Sequence, residues 1–487
     1  MKSKLLLLLL SVTLLASAKT VTIKGKINGK LPENLYYTAP VNGALGFDLY
    51  YTAVPDAQGN FEIRVDIGKV SFIDIFYDYK PAGFLVVTPG ENYGITITES
   101  EGKITHTISG KDAEAQRLYN TLLHSHRMDI VGEMGQEAVN IKTARELEAY
   151  FEKKHEDAVV GFSALLDKKV ISQDVFDALA TDTKYFYQTV MSYAILLKHI
   201  FGDREATPPD LTEFNIVWKK IYQKLDPDAA TVTQSPWGWY FLDGYKNLKN
   251  FEAVGFNYKK VETPANQFEG LKKNVAFMPL LNAEYYYAAS IYNNAFGSYK
   301  QKDVIAEFDH FKQQYPKSGY IKYLEPKVAP VVAFFTSNST LPPNAAYIND
   351  YAGINTLNEL IKKFPGKKLY FDVWATWCGS CRDEFKYKDE LYKLMKANDI
   401  MVIYVSVDDD ERDETWRKMI SHYKLEGQHI RANKMLDKNL RLTFSGKGGI
   451  SLPWYFLVDS KGEIAVKYAA PPSDMAKFEA DIQKIKD

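Results

Sequence analysis

The pattern of apolar and polar positions changes texture twice along this 487-residue chain. Over residues 20–110, short runs such as VTIKGKI, GFDLYYTAV, NFEIRV, SFIDIFYDY, GFLVVT, YGITITE and KITHTISG follow one another. They are rich in β-branched and aromatic residues. Turn residues separate them at Asn28-Gly29, Gln58-Gly59-Asn60, Pro89-Gly90 and Glu101-Gly102. Strand-like runs punctuated roughly every eight to twelve residues predict a small antiparallel sandwich or open barrel. Nothing in this segment has catalytic or metal-ligand spacing. It reads either as a docking module or as a spacer that supports the fold.

From residue 111 to 335 the period lengthens. Segments such as TARELEAYFEKKHEDAVVGFSALLDKK and KDVIAEFDHFKQQY place apolar residues at helical spacing. Pro208-Pro209 and Ser235-Pro236 separate helices. No clean repeat period emerges, so a solenoid is not expected. His124 and His126 lie two apart with no carboxylate or cysteine at ligand spacing. His155 and His199 fall in helical patterns and read as surface or boundary residues. The run Trp237-Gly238-Trp239-Tyr240 either lines a ligand groove or closes a helix–helix contact.

Residues 336–346 lack any period and read as a linker. A third texture fills 347–487. A helix is expected at 357–364, a strand at 369–374, a helix at 378–397 and a central apolar strand at 401–407. A helix at 414–423, strands at 454–458 and 464–468, and a last helix at 473–485 capped by Ser473 complete it. The fold class is therefore multi-domain: an all-β front, a helical middle and a C-terminal α/β layer. The proposed domains are 19–110, 111–335 and 347–487.

The first eighteen residues, MKSKLLLLLLSVTLLASA, carry Lys2 and Lys4, a short apolar core and an Ala-Ser-Ala end. That is the pattern of a cleaved export signal, too short for a confident membrane span. No cysteine follows it, which excludes a lipid on a leader cysteine. The balance of 60 basic and 61 acidic residues argues against a nucleic-acid surface. The 33 tyrosines suit half-buried faces without naming a partner.

Chemistry concentrates in WCGSC at 377–381, which holds both of the chain's cysteines. The expected strand ends at Trp374 and the expected helix begins at Cys378. A helix start stabilises a thiolate, so Cys378 is the candidate nucleophile. Cys381, one turn on, is the candidate resolving thiol. Competing readings are a zinc site, a structural disulfide and an inactive remnant. Zinc would need further ligands, and only His422 and His429 lie in this segment. A disulfide across three residues closes too small a loop to restrict the unfolded chain much. Asp372 stands inside an apolar strand, where a carboxylate stays neutral or finds a partner. The acidic run at 408–414 reads as a solvated loop or an attractor of a basic partner; it lacks the glycine and glutamate of a calcium loop.

FDVWATWCGSC resembles the thioredoxin fold. With the export signal and extra domains, the chain is similar to periplasmic thiol–disulfide oxidoreductases of the TlpA/ResA type. Its layout is similar to the multi-domain forms common in Bacteroidetes. The specific resemblance covers about residues 345–487. It implies that Asp372 exchanges a proton with the resolving cysteine and that Trp377 packs beside the exposed sulfur. It also implies that GISLPW provides a cis-proline loop, with Pro453 against the cysteines and Leu452 pairing with the substrate chain. Departures are Ser380, where proline is commonest, Leu452 before the proline, and Lys386, where a kinking proline is usual. The last departure predicts a straighter helix.

The expected function is thiol–disulfide exchange in the periplasm, most simply the reduction of protein disulfides. No cofactor and no metal is expected. The expected partners are cysteine-containing envelope proteins and an upstream thiol donor, with no nucleic acid and no membrane span after signal cleavage. An envelope scaffold protein and a disulfide isomerase are the alternatives. A peroxidase would need a different cysteine setting. Redox direction and oligomeric state stay open.

Overall fold

The computed structural model describes residues 18–47, 49–122, 128–202, 209–261, 270–297, 302–337, 340–445 and 449–485. The export-signal pattern up to residue 17, and His124 and His126, lie outside the described residues. The chain divides into two compact units. One comprises residues 1–294 and 307–325; the other comprises 295–306 and 326–487. Among the described residues no helix is long and apolar enough to cross a membrane.

The first unit opens with eight strands: β1 (Lys19–Asn28), β2 (Leu35–Thr38), β3 (Tyr50–Ala53), β4 (Asn60–Ile67), β5 (Ser71–Tyr77), β6 (Lys80–Val87), β7 (Asn92–Ser100) and β8 (Lys103–Gly110). They form two four-stranded sheets, ordered β4-β1-β7-β8 and β3-β2-β5-β6. Alternate residues of β1 point inward, so Val21, Ile23 and Ile27 meet Ile73, Ile75 and Leu85 in one core. The expected sandwich is present, but it is not wholly antiparallel. β1 runs parallel to β7. Single runs cannot reveal this, because the choice depends on which distant strands meet.

β5 and β6 are apolar on both faces, and the reason lies in the helices. Phe72, Phe84 and Val86 pack against Ala115, Tyr119, Phe162 and Leu179. The helix Ala113–Thr121 also covers the free edge of β6. Val86 N–H donates to Gln116 Oε1 (3.0 Å) and Gln116 Nε2 donates to Val86 O (2.6 Å). One turn on, Phe84 N–H donates to Asn120 Oδ1 (3.0 Å) and Asn120 Nδ2 donates to Phe84 O (2.7 Å). Two side-chain amides thus replace a neighbouring strand.

The helical part centres on the 30-residue helix Gln173–Gly202. Trp237 is buried with its ring centroid 4.9 Å from Phe186, and Trp239 Nε1 donates to Ser290 Oγ (2.9 Å). The aromatic run therefore closes helix contacts. His199 is buried, contrary to expectation. Its Nε2 meets Asn215 Oδ1 at 2.8 Å, and Trp218, Phe251 and Phe256 surround the ring. A histidine with one hydrogen-bond partner and an aromatic box is cheap to bury while neutral, and burial pushes its pKa down.

The second unit holds a six-stranded sheet: β9 (Ala345–Tyr347), β10 (Lys368–Trp374), β11 (Ile400–Ser406), β12 (Gly427–Arg431), β13 (Trp454–Val458) and β14 (Ile464–Val466). Its order is β14-β13-β10-β11-β12-β9. β10, β11, β12 and β9 pair in parallel, while β13 and β14 add antiparallel. Apolar cores lie on both faces, as the continuous apolar runs of β10 and β11 require. β9 falls in the stretch expected to be linker, and β12 was not foreseen.

Two helices differ from expectation. The segment after Cys378 is not one long helix. It runs as Gly379–Glu384, a 3₁₀ turn Phe385–Tyr387, and Lys388–Ala397. The break sits at Lys386 without any proline. Phe385, which opens this 3₁₀ turn, is buried against Trp374 (5.3 Å) and Tyr423 (5.2 Å). The last helix, Met475–Ile482, is capped by Asp474, whose side chain accepts from Lys477 N–H (3.4 Å). Ser473 faces Glu384 instead.

Candidate redox centre

β10 delivers the chain from the middle of the sheet to the active turn. Cys378 is the N-cap of the helix Gly379–Glu384, with extended backbone at φ −78° and ψ 106°. Its Sγ accepts the N–H of Cys381 at 3.1 Å. The two cysteines form a disulfide, with Cα atoms 5.3 Å apart. Cys378 is 5% exposed and Cys381 is fully buried. The accessible sulfur is the one that a helix N–H supports. Trp377 lies just before it and is 54% exposed.

The peptide bond Leu452-Pro453 is cis. Ser380 ties this loop to the cysteines: its Oγ donates to Leu452 O (3.3 Å) and lies 3.5 Å from Cys378 Sγ. A serine between the sulfurs thus brings a hydroxyl to a position where proline would leave none. After reduction this hydroxyl can donate to the Cys378 thiolate. Ser380→Ala is expected to raise the Cys378 thiol pKa by about half a unit, the scale of one weak hydrogen bond. The pH dependence of thiol alkylation checks this; an unchanged profile would show that the hydroxyl serves only Leu452.

Asp372 occupies the middle of β10, opposite Tyr404 on β11 and Tyr455 on β13. Tyr370 and Trp374, two residues away on either side, belong to the core that contains both cysteines. Strand alternation therefore turns Asp372 toward the cysteine side of the sheet. The residue is 3% exposed, and its Oδ1 makes no hydrogen bond. Burial pushes its pKa well above the carboxylate range, and the nearby Glu384 carboxylate pushes it further. The surrounding hydroxyls of Tyr370, Tyr404 and Tyr455 also have raised pKa values, through burial first and Asp372 second or later.

Glu384 was missed by sequence reasoning. It lies three residues beyond Cys381, so helical spacing puts it on the same side. The backbone N–H and Oγ of Ser473 donate to its two oxygens (2.9 and 2.8 Å). The i, i+3 spacing from Cys381 was the available signal. His429, weighed for zinc, is instead buried and stacked on Tyr404 (5.1 Å). Burial lowers its pKa to about 4. Among the described residues no group of three or more His, Cys, Asp or Glu side chains is placed to hold a metal. The acidic run is only partly a solvated loop, because Asp408 is 2% exposed.

Residues 337–482 match the Redoxin family model. The C-terminal segment is a thioredoxin-family domain. The thiol–disulfide oxidoreductase ResA of Bacillus thuringiensis is 31% identical over 104 residues, 21% of this chain and 56% of that protein. ResA of Bacillus subtilis is 25% identical over 104 residues, 21% of this chain and 54% of that protein. The chain thus spans little more than half the length of these curated relatives. Among solved structures, the thioredoxin domain of a thiol–disulfide oxidoreductase from Bacteroides vulgatus is 23% identical with a TM-score of 0.21. That match covers 25% of this chain and 81% of the solved one. The thioredoxin-family domain here carries a redox-capable cysteine pair inside the matched residues.

Proposed function

We propose that the chain is an exported thiol–disulfide oxidoreductase of the TlpA/ResA type, in a multi-domain form, that reduces protein disulfides. The observation that carries this reading is the Cys378 sulfur, at a helix start and hydrogen-bonded by the Cys381 N–H. In the reduced state, the Cys378 thiolate attacks a substrate disulfide. One substrate sulfur leaves as a thiolate and takes a proton from water. Cys381 then attacks Cys378 Sγ while its proton passes through the Asp372 carboxyl group to the departing second substrate thiolate, and the Cys378–Cys381 disulfide remains. Two electrons pass from enzyme to substrate, and an upstream dithiol protein restores them.

Trp377 offers an exposed aromatic face beside Cys378. Leu452, before the cis proline, offers the backbone for an incoming chain. No cofactor is required by these steps. Export is supported by the leading apolar segment, and the periplasm is its destination in this reading.

Reduction of insulin disulfides by dithiothreitol tests the proposal. Catalytic amounts of the full chain are expected to speed it at least about tenfold, as a positioned nucleophile should. A protein whose pair is reversibly reduced yet gives no acceleration would leave the scaffold reading standing.

A further inference from the structure

The loop that presents Cys378 is held by a buried carboxylate from outside the cysteine motif. Thr376 is fully buried and lies two residues before Cys378. Its N–H donates to Asp408 Oδ2 (2.8 Å) and its Oγ1 donates to Asp408 Oδ1 (2.7 Å). Asp408 lies two residues past β11, and Ser406 Oγ donates to its Oδ2 at 2.7 Å. The Asp408 N–H donates back to Ser406 Oγ (3.2 Å). Both carboxylate oxygens are therefore engaged.

The same segment is pinned on its other side. Arg382 Nη1, from the helix that Cys378 caps, donates to Thr376 O (2.7 Å). Arg412 Nη1 lies 3.5 Å from Thr376 Oγ1, and Arg431 Nη1 lies 3.4 Å from Asp408 O. Val407 N–H donates to Trp374 O (2.9 Å). Every hydrogen-bonding group of Thr376 is used. A buried acid is costly unless its hydrogen bonds are made, and this acid spends them on the residue that leads into the nucleophile.

We infer that Asp408 and Thr376 form a clamp that positions Cys378 at its helix start, making both of them positioning residues for the exchange reaction. The inference rests on the thiol–disulfide reading of this site. With the clamp in place, the Cys378 sulfur stays where the Cys381 N–H and the helix start meet it. Without it, the 375–377 turn can rotate and the thiolate loses part of that support.

Neutral substitutions test this, because they neither add nor delete a charged side chain. In the reduced full chain, Thr376→Val is expected to raise the Cys378 thiol pKa by about half a unit or more, the scale of one cap interaction. The pKa is read from the pH dependence of iodoacetamide alkylation. Thr376→Ser, which keeps the hydroxyl, is expected to restore most of the wild-type value. Ser406→Ala removes one bond to Asp408 and is expected to shift the pKa in the same direction by less; it serves if Thr376→Val does not fold. A folded Thr376→Val protein with the wild-type thiol pKa would overturn the clamp as a positioning device. So would a Thr376→Ser protein shifted as far as the valine variant. Insulin reduction by the wild type is scored separately. Its failure would sink the reductase reading while the thiol titration still judges the clamp.

Discussion

Cys381→Ser is expected to leave the enzyme joined to its substrate through Cys378, and Cys378→Ser is expected to abolish turnover. The asymmetry follows from burial. Cys381 is fully enclosed, whereas Cys378 borders the exposed Trp377. An incoming disulfide can reach only the first sulfur. With serine at 381 the mixed disulfide forms but has no internal thiol to release it. It should persist on non-reducing gels and collapse on addition of dithiothreitol. With serine at 378 the remaining thiol has no route to substrate, and the rate should fall by about 10³-fold or more, as for loss of other nucleophiles. A Cys381→Ser protein that captures nothing, beside a Cys378→Ser protein that does, would reverse the assigned roles.

Asp372→Asn is expected to make the oxidised protein more stable at neutral pH and to slow the resolving step. The sign is set by burial. The folded-state pKa of Asp372 is raised well above the ordinary 3.8. The folded protein then holds a proton that the unfolded chain releases. Stability attached to this group is fully present below about pH 4. It falls as pH rises toward the folded pKa, by about 1.4 kcal/mol per pH unit within that window. Asparagine cannot ionise, so urea titrations of the oxidised variant between pH 4 and 8 should lose this slope. The same change removes the carboxyl group that relays the Cys381 proton. Single-turnover release of the mixed disulfide should slow by about 10²-fold, the lower range for general-base catalysis. A variant that keeps the wild-type pH slope would show that Asp372 is not the titrating group.

Much of this centre was readable from the chain because it is local. The strand, turn and helix that place Cys378, Cys381 and Asp372 fall within one short run, and period and capping signals act over that range. The strand texture of 20–110 is local in the same sense. What escaped depends on residues far apart. Asp408 looked solvated because its neighbours are charged, yet its oxygens bond Thr376, 32 residues earlier. Ser473 looked like a helix cap, but its hydrogen bonds go to Glu384, 89 residues away. β9 exists only because β12 accepts it. The 3₁₀ turn Phe385–Tyr387 interrupts the expected long helix with no proline in the sequence to mark it. His199 was misplaced for a related reason, since its aromatic box is assembled from two other segments, around Trp218 and around Phe251–Phe256.

The amides of Gln116 and Asn120 have a consequence for how this architecture can be cut and inherited. They act as a counterfeit strand on β6, and Ala115 and Tyr119 from the same helix roof the sheet behind it. A gene fragment ending at Gly110 would encode all eight strands yet leave a bare pairing edge and an uncovered apolar face. Such a fragment invites self-association more than independent life. The smallest portable piece of the front half therefore reaches into its helices. Recombination that moves the β layer between proteins has to carry its first helix along.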